Sequence, residues 1–305
     1  MTEKLQQTLA DSGAIDVGAG FGCLPPTTPK FTSGPLKQLV TVFAFPVFYL
    51  LNRPSLQFLA DIAYDFVLRW NGFAIGFHGR HGLNFAEERF LTRHLPTVGD
   101  GVLFDVGANH GSYTRFLHRL SPRAQIHAFE PHPVTFASLQ SRAAIPGVTL
   151  VPMAVSDTNG TMQLYDFAES DGSTQASLSE ASVGLFDHNT VSHTVETTTL
   201  DAYMARAGID RIDFLKIDTE GFDINVLRGA KAALASGAIK AIQFEFIPAN
   251  IAMRVTMRDF FEILSNYRLF RLCLNGDLME LKRYNVKRCE VYVVHNIVAL
   301  SQTIE

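Results

Sequence analysis

The chain has 305 residues, enough for one large domain or for a domain of about 200 residues with an appendage. With 47% hydrophobic and 18% charged residues the composition is that of a globular protein, which excludes wholesale disorder. The 26 basic and 30 acidic side chains leave a net charge of −4, which argues against a protein whose main task is gripping nucleic acid. Cys23, Cys273 and Cys289 form no C-x-x-C pair, so neither a disulfide framework nor a cysteine-rich zinc site is supported, and a reducing compartment is expected.

Met1-Thr2-Glu3-Lys4 is followed by no apolar h-region, so a cytoplasmic location is expected rather than secretion. Residues 1–35 are rich in Gly, Pro, Ser and Thr and read as a flexible arm. Inside it, Asp16-Val17-Gly18-Ala19-Gly20-Phe21-Gly22 imitates a glycine-rich nucleotide turn. Ser12-Gly13-Ala14-Ile15 before it is too little for a buried strand, however, and Pro25-Pro26 follow where a helix should begin.

Residues 36–98 read as a helical region acting as a cap or an interaction surface. The apolar run Leu39 to Leu51 is 13 residues long and contains Pro46, whereas crossing a bilayer takes about 20. After Ser55, a candidate N-cap, Leu56, Leu59, Ile62, Ala63, Phe66, Val67 and Trp70 recur at helical spacing. Lys37, Arg53 and Trp70 suit a peripheral membrane contact, while Pro46 and a polar face poor in Lys and Arg favour a buried cap or a homodimer contact. A further helix is predicted over Phe85 to Leu95, ended by Pro96, Gly99 and Asp100.

Residues 99–305 alternate short apolar runs with helical patterns, the rhythm of βαβ units in an α/β fold. Strands are predicted at Val102 to Val106, Gln125 to Phe129, Val148 to Met153, Phe214 to Ile217, Ile239 to Phe246, Arg268 to Leu274 and Glu290 to Asn296, enough for an open seven-stranded sheet. No helix separates the last two, so they should form an antiparallel edge pair. In such a sheet a ligand sits beyond the carboxyl ends of the strands. The first strand ends in Asp105-Val106-Gly107-Ala108-Asn109-His110-Gly111, where glycines let backbone approach a ligand at a helix start, and the second ends in Glu130, placed to hold ribose hydroxyls. The loop is not G-x-G-x-x-G, and the P-loop, H-E-x-x-H and G-x-S-x-G patterns are absent, which leaves the adenosyl cofactor of methyl transfer.

Phe104 to Gly111 (FDVGANHG), Ala128 to Pro131 (AFEP), Ala154 to Asp157 (AVSD), Thr199 to Asp201 (TLD) and Asp213 to Gly221 (DFLKIDTEG), followed by Val226 to Ala230 (VLRGA), together resemble the FkbM family of S-adenosylmethionine-dependent methyltransferases. The resemblance covers about Gly101 to Asn250. It implies a class I methyltransferase, Rossmann-like sheet and O-methylation of a hydroxyl on a sugar, glycolipid or secondary metabolite, with a small-molecule or glycan acceptor. It places S-adenosylmethionine against Asp105, Gly107, Ala108, Asn109, Gly111, Glu130, Pro131, Ala154 and Asp157. Lys216, Asp218 and Glu220 at one strand end and Glu245 at the next are the catalytic candidates, with an ion pair as the structural alternative and no metal assigned. His110 and His132 beside the cofactor turn, and Ser177 in the polar insertion, are acceptor-side candidates. The competing function is a scaffold without turnover, which would not require the charged cluster to converge on the cofactor pocket.

Overall fold

A computed structural model of the chain describes residues 45–95, 98–170, 172–186 and 189–302. The expected arm 1–35, the Asp16 to Gly22 motif and residues 36–44 lie outside the described residues. Two compact units meet in sequence between Asp61 and Ile62. In the first, residues 45–51 are helical and a 3-10 turn at Pro54–Leu56 precedes α1 (Gln57–Trp70). Ser55 therefore sits inside the turn rather than capping a helix; Pro54 opens it, where a missing N–H is harmless. No residue of α1 is buried, and of its part in the second unit Ile62, Tyr64, Phe66, Val67 and Trp70 are all exposed.

The second unit continues with α2 (Phe85–His94), β1 (Val102–Val106), α3 (Ser112–Leu120), β2 (Gln125–Phe129), α4 (Pro133–Ala143) and β3 (Val148–Val151). Then come β4 (Ala154–Val155), β5 (Gly160–Phe167), α5 (Glu180–Val183), β6 (Thr190–Thr198), α6 (Leu200–Ala207), β7 (Phe214–Ile217), α7 (Asp223–Arg228) and α8 (Lys231–Ala235). The remainder is β8 (Ala241–Phe246), α9 (Ala249–Ala252), α10 (Met257–Ile263), β9 (Tyr267–Leu272), β10 (Leu278–Glu280), α11 (Val286–Cys289) and β11 (His295–Ser301).

The main sheet has eight strands in the order β10-β9-β11-β8-β7-β1-β2-β3. From β8 through β3 neighbours are parallel, whereas β11 runs antiparallel to β8 and β9, and β10 antiparallel to β9. The chain leaves β1 toward β2 on one side and later returns as β7 on the other. That reversal opens a crevice beyond the carboxyl ends of β1 and β7.

The sheet differs from the expected seven strands in three ways. β10 is added at the edge, hairpinned to β9 across Asn275, Gly276 and Asp277, so β9 and β11 are not the edge pair. The last strand starts at His295 rather than Glu290, because the Glu290 carboxylate accepts the backbone N–H groups of Met257 and Arg258 at the start of α10. The polar insertion contains a separate three-stranded sheet, β4-β6-β5. Smaller shifts end the third strand at Val151 and begin the fifth at Ala241.

Strand alternation divides the core between two faces. Phe104, Leu215, Ile242 and Phe244 belong to one cluster, and Leu103, Ile126 and Phe214 to another. The second cluster is completed by Ile75, Leu83, Phe90, Leu91 and Leu95. Residues 75–95, read from sequence with the helical region 36–98, thus pack directly on the sheet.

Candidate active site

The site is assembled where β1, β2, β7 and β8 end. Gly107 has φ +83°, and a Cβ there would overlap the Asp218 carbonyl oxygen, so the exits of β1 and β7 touch only because the residue is glycine. Asp218 N–H donates to the Val106 carbonyl at 2.9 Å, and the N–H groups of Gly107 and Ala108 donate to the Phe129 carbonyl at 3.0 and 2.9 Å. Three strand exits are thereby tied together by backbone.

Glu130 joins two turns with one carboxylate. Its Oε2 accepts the Asn109 N–H at 2.9 Å and its Oε1 the His132 N–H at 2.8 Å. Asn109 adopts φ +50°, tolerated by its short polar side chain, whose Oδ1 accepts the next N–H, that of His110. Burial pushes the Glu130 carboxyl up to about 7, against the pull of both amides.

A cavity of about 480 Å³ lies over these turns. Gly107, Ala108, Asn109, Glu130, Pro131 and Ala154 line it, as do Lys216, Asp218, Glu220 and Glu245, together with His110 and Ser177. Four expected site residues are not brought to it. Asp105 is fully buried beneath the turn, where its Oδ2 accepts the Thr114 hydroxyl at 2.6 Å and ties β1 to α3. Gly111 begins α3 with φ +77° and packs against Leu139. Asp157 is exposed and accepts the Ser156 hydroxyl. His132 is buried, with Nε2 3.5 Å from Asp166.

Alternation along β7 does send Lys216 toward Asp218, with Nζ 2.8 Å from Oδ2, and the ammonium lies 5.0 Å from the Tyr113 ring centre. Burial alone would discharge this lysine, but the surrounding Asp218, Glu87, Glu245 and Asp105 carboxyls outweigh it and raise its pKa. Glu220, at φ +53°, is pushed up to about 8 by burial and by the charges of Asp218 and Asp223. Burial and the Asp218 charge hold the Glu245 carboxyl well above the usual range.

Ser177 lines the cavity, yet its hydroxyl donates to the Glu220 carbonyl at 3.1 Å. The loop leading to it is held by Asp166, which accepts the N–H groups of Gly172 and Ser173, both at 2.8 Å, and the Ser173 hydroxyl. Asp166 and His132 therefore join the turn after β2 to the loop that walls the cavity.

Glu87 was not among the sequence candidates. It lies in α2, is buried and lines the cavity; its Oε1 accepts Gln243 Nε2 at 2.7 Å and its Oε2 the Asn84 N–H at 3.2 Å. Asn84-x-x-Glu87 reads as a capping box, which accounts for the glutamate without a site. The available signal was its position on the face of Phe90 and Leu91, three and four residues on.

The model of the methyltransferase FkbM domain family matches residues 105–271, more than half of the chain. The chain belongs to the FkbM methyltransferase family. Among curated relatives of this FkbM-family chain, the 2-O-methyltransferase NoeI of Sinorhizobium fredii is 31% identical over 44% of the chain and 59% of its own length. The 31-O-demethyl-FK506 methyltransferase FkbM of Streptomyces tacrolimicus is 29% identical over 50% and 72%, and the hexuronic acid methyltransferase AglP of Haloferax volcanii 26% identical over 56% and 64%. The chain thus spans 59% of the length of NoeI and 64% of that of AglP.

Proposed function

We propose that the chain transfers a methyl group from S-adenosylmethionine to a hydroxyl oxygen of a sugar, glycolipid or secondary metabolite. The observation that carries this reading is the convergence, in one cavity at the strand reversal, of the Glu130 turn and the Lys216, Asp218, Glu220 and Glu245 cluster. A scaffold without turnover gives no reason to desolvate those charges together. The relatives named for a 2-O-methyl transfer, 31-O-demethyl-FK506 and a hexuronic acid support a hydroxyl on a sugar or secondary metabolite.

The residues present fit the cofactor. Each Glu130 oxygen accepts one amide and keeps a lone pair for a ribose hydroxyl. Asn109 and Pro131 beside Glu130 would hold the ribose, and Phe129, Met153 and Ala154, which also line the cavity, would offer an apolar wall to a flat base. When bound, S-adenosylmethionine supplies a methyl carbon made electrophilic by its sulfonium sulfur. The chain aligns the acceptor and receives the proton. Asp218 takes it, with Lys216 holding the carboxylate in place, while Glu220, whose carboxyl burial and the Asp218 and Asp223 charges push up to about 8, and Glu245 hydrogen-bond the acceptor. Asp218→Asn tests this assignment: S-adenosylhomocysteine binding is retained and turnover falls, whereas unchanged turnover from pH 6 to 9 removes Asp218 from this role.

We also propose that α1 meets a second copy of the chain. Its polar positions carry Asp61 and Asp65 against a single cation, Arg69, a poor match for an anionic membrane surface. Among the described residues no helix is long and apolar enough to cross a membrane. Analytical ultracentrifugation and vesicle co-sedimentation of the full chain separate the two partners; a monomer that pellets with lipid contradicts the dimer.

A further inference from the structure

Five carboxyl groups line the cavity, that of Glu130 at the end of β2 and those of Glu87, Asp218, Glu220 and Glu245. Two of them are joined by a chain of amides. Gln243 is fully buried with both ends of its amide bonded: Nε2 donates to Glu87 Oε1 at 2.7 Å and to Asn296 Oδ1 at 2.8 Å, while Oε1 accepts the Tyr113 hydroxyl at 2.9 Å. Asn296 in turn donates from Nδ2 to Glu245 Oε1 at 3.1 Å. This brace fixes both carboxyl groups, which line the cavity and keep lone pairs that the brace does not use.

The cations are arranged quite differently. Among the described residues that line the cavity, Lys216 is the only lysine or arginine. Its ammonium is buried, bonded to Asp218 and set against the Tyr113 ring, so it is already committed within the floor. His110 Nδ1 is paired with the Ser138 hydroxyl at 3.2 Å, and burial with the nearby Arg142 and Arg115 charges lowers its pKa, favouring the neutral ring. A carboxylate, phosphate or sulfate normally needs a guanidinium or an available ammonium to replace its water. An anionic acceptor would here meet five carboxyl groups and two imidazoles, His78 and His110, with no guanidinium among the described residues and no ammonium beyond the committed Lys216. Hydroxyl groups donate to the same oxygens and lose nothing on entry.

We propose that Glu87 and Glu245, braced by Gln243 and Asn296, are the acceptor-binding carboxyls of this cavity, and that they restrict the acceptor to one presenting uncharged hydroxyl groups around the reacting oxygen. The inference rests on the methyltransferase reading above and adds the charge class of the acceptor and a specificity residue from α2.

The test uses the full chain saturated with S-adenosylhomocysteine and follows three probes by saturation-transfer nuclear magnetic resonance titration near neutral pH and low salt: methyl glucoside, methyl glucuronoside and methyl glucoside phosphate. The neutral glycoside should bind about tenfold or more tightly than either anion, the cost of one charged group left without a partner. In Glu87→Gln the neutral glycoside should weaken by about tenfold while S-adenosylhomocysteine binds as before. If that variant does not fold, Glu245→Gln is the substitute and should weaken the same probe. An anion binding as well as the neutral glycoside, or no probe binding to a chain that holds S-adenosylhomocysteine, overturns the acceptor inference and leaves the methyltransferase reading standing. Failure of S-adenosylhomocysteine itself to bind overturns both.

Discussion

Replacing Glu130 by glutamine keeps the shape of the proposed ribose ligand and removes one acceptor oxygen and the charge. In the native chain the two oxygens accept the Asn109 and His132 amides at 2.9 and 2.8 Å. A glutamine can serve one of these and turns its NH₂ toward the other, so a donor faces a donor and the ribose loses a charged partner. A hydrogen bond to a charged group contributes about 1.5–3 kcal/mol, and every 1.4 kcal/mol is tenfold in affinity, so S-adenosylhomocysteine should bind about ten- to a hundred-fold more weakly. Because burial pushes the Glu130 carboxyl up to about 7, it is mostly protonated near pH 6 and mostly ionised near pH 8. The gap between wild type and Glu130→Gln should therefore widen as pH rises across that interval. Titration calorimetry at both pH values, with a melting curve to confirm folding, measures it. Equal affinities at both pH values, or a gap that narrows with rising pH, would refute the role given to Glu130.

Gly107→Ala should abolish measurable S-adenosylhomocysteine binding in calorimetry, since the added Cβ meets the Asp218 carbonyl and the exits of β1 and β7 must part; native affinity would show that the contact is dispensable. Asp166→Ala removes the acceptor for Gly172 and Ser173 and the carboxylate beside His132 at once, so proteolysis should cut first within residues 167–177 and the acceptor KM should rise more than kcat falls; an unaltered KM would deny the loop a part in acceptor binding. The buried carboxyls of Asp223, Glu130 and Glu220 sit at about 6, 7 and 8, above their ordinary values, so the folded chain holds protons that the unfolded chain has released. Their contribution is fully present below their unfolded pKa values and is lost as pH rises through the folded ones, about 3 kcal/mol for Asp223 alone. Scanning calorimetry should show a lower melting temperature near pH 9 than near pH 6, and Glu220→Gln should flatten that slope, whereas Asp223→Asn should flatten the slope between about pH 4 and 6.

The parallel core was readable because β1, β2 and β7 are short apolar runs followed by chemistry-bearing turns. Asp105, Glu130 and Asp218 each stand at or just past a strand's carboxyl end. The same motif logic overreached at Asp105, Gly111 and Asp157, because a motif marks a turn without saying which of its side chains points into the cavity and which fastens the turn from below. β5 and β6 escaped notice because most of their residues are exposed or half-buried and carry little apolar alternation. Glu87 escaped for a different reason. Its capping box supplied a sufficient local explanation, and its pairing with Gln243, 156 positions later, exists only after α2 has packed on the sheet. His132 and Asp166 likewise meet only when the β5–β6 hairpin folds beside the β2 exit.

The central claim, methyl transfer from S-adenosylmethionine to a hydroxyl, is met most directly by incubating the purified full chain with methyl-labelled S-adenosylmethionine and an extract of the organism that encodes it, then identifying labelled products by mass spectrometry. The expected product carries one added methyl on oxygen, appears with S-adenosylhomocysteine in equal amount, and vanishes with Asp218→Asn. Cofactor that binds while label stays on it across the whole extract, or label that arrives on nitrogen, carbon or sulfur, would contradict the assignment.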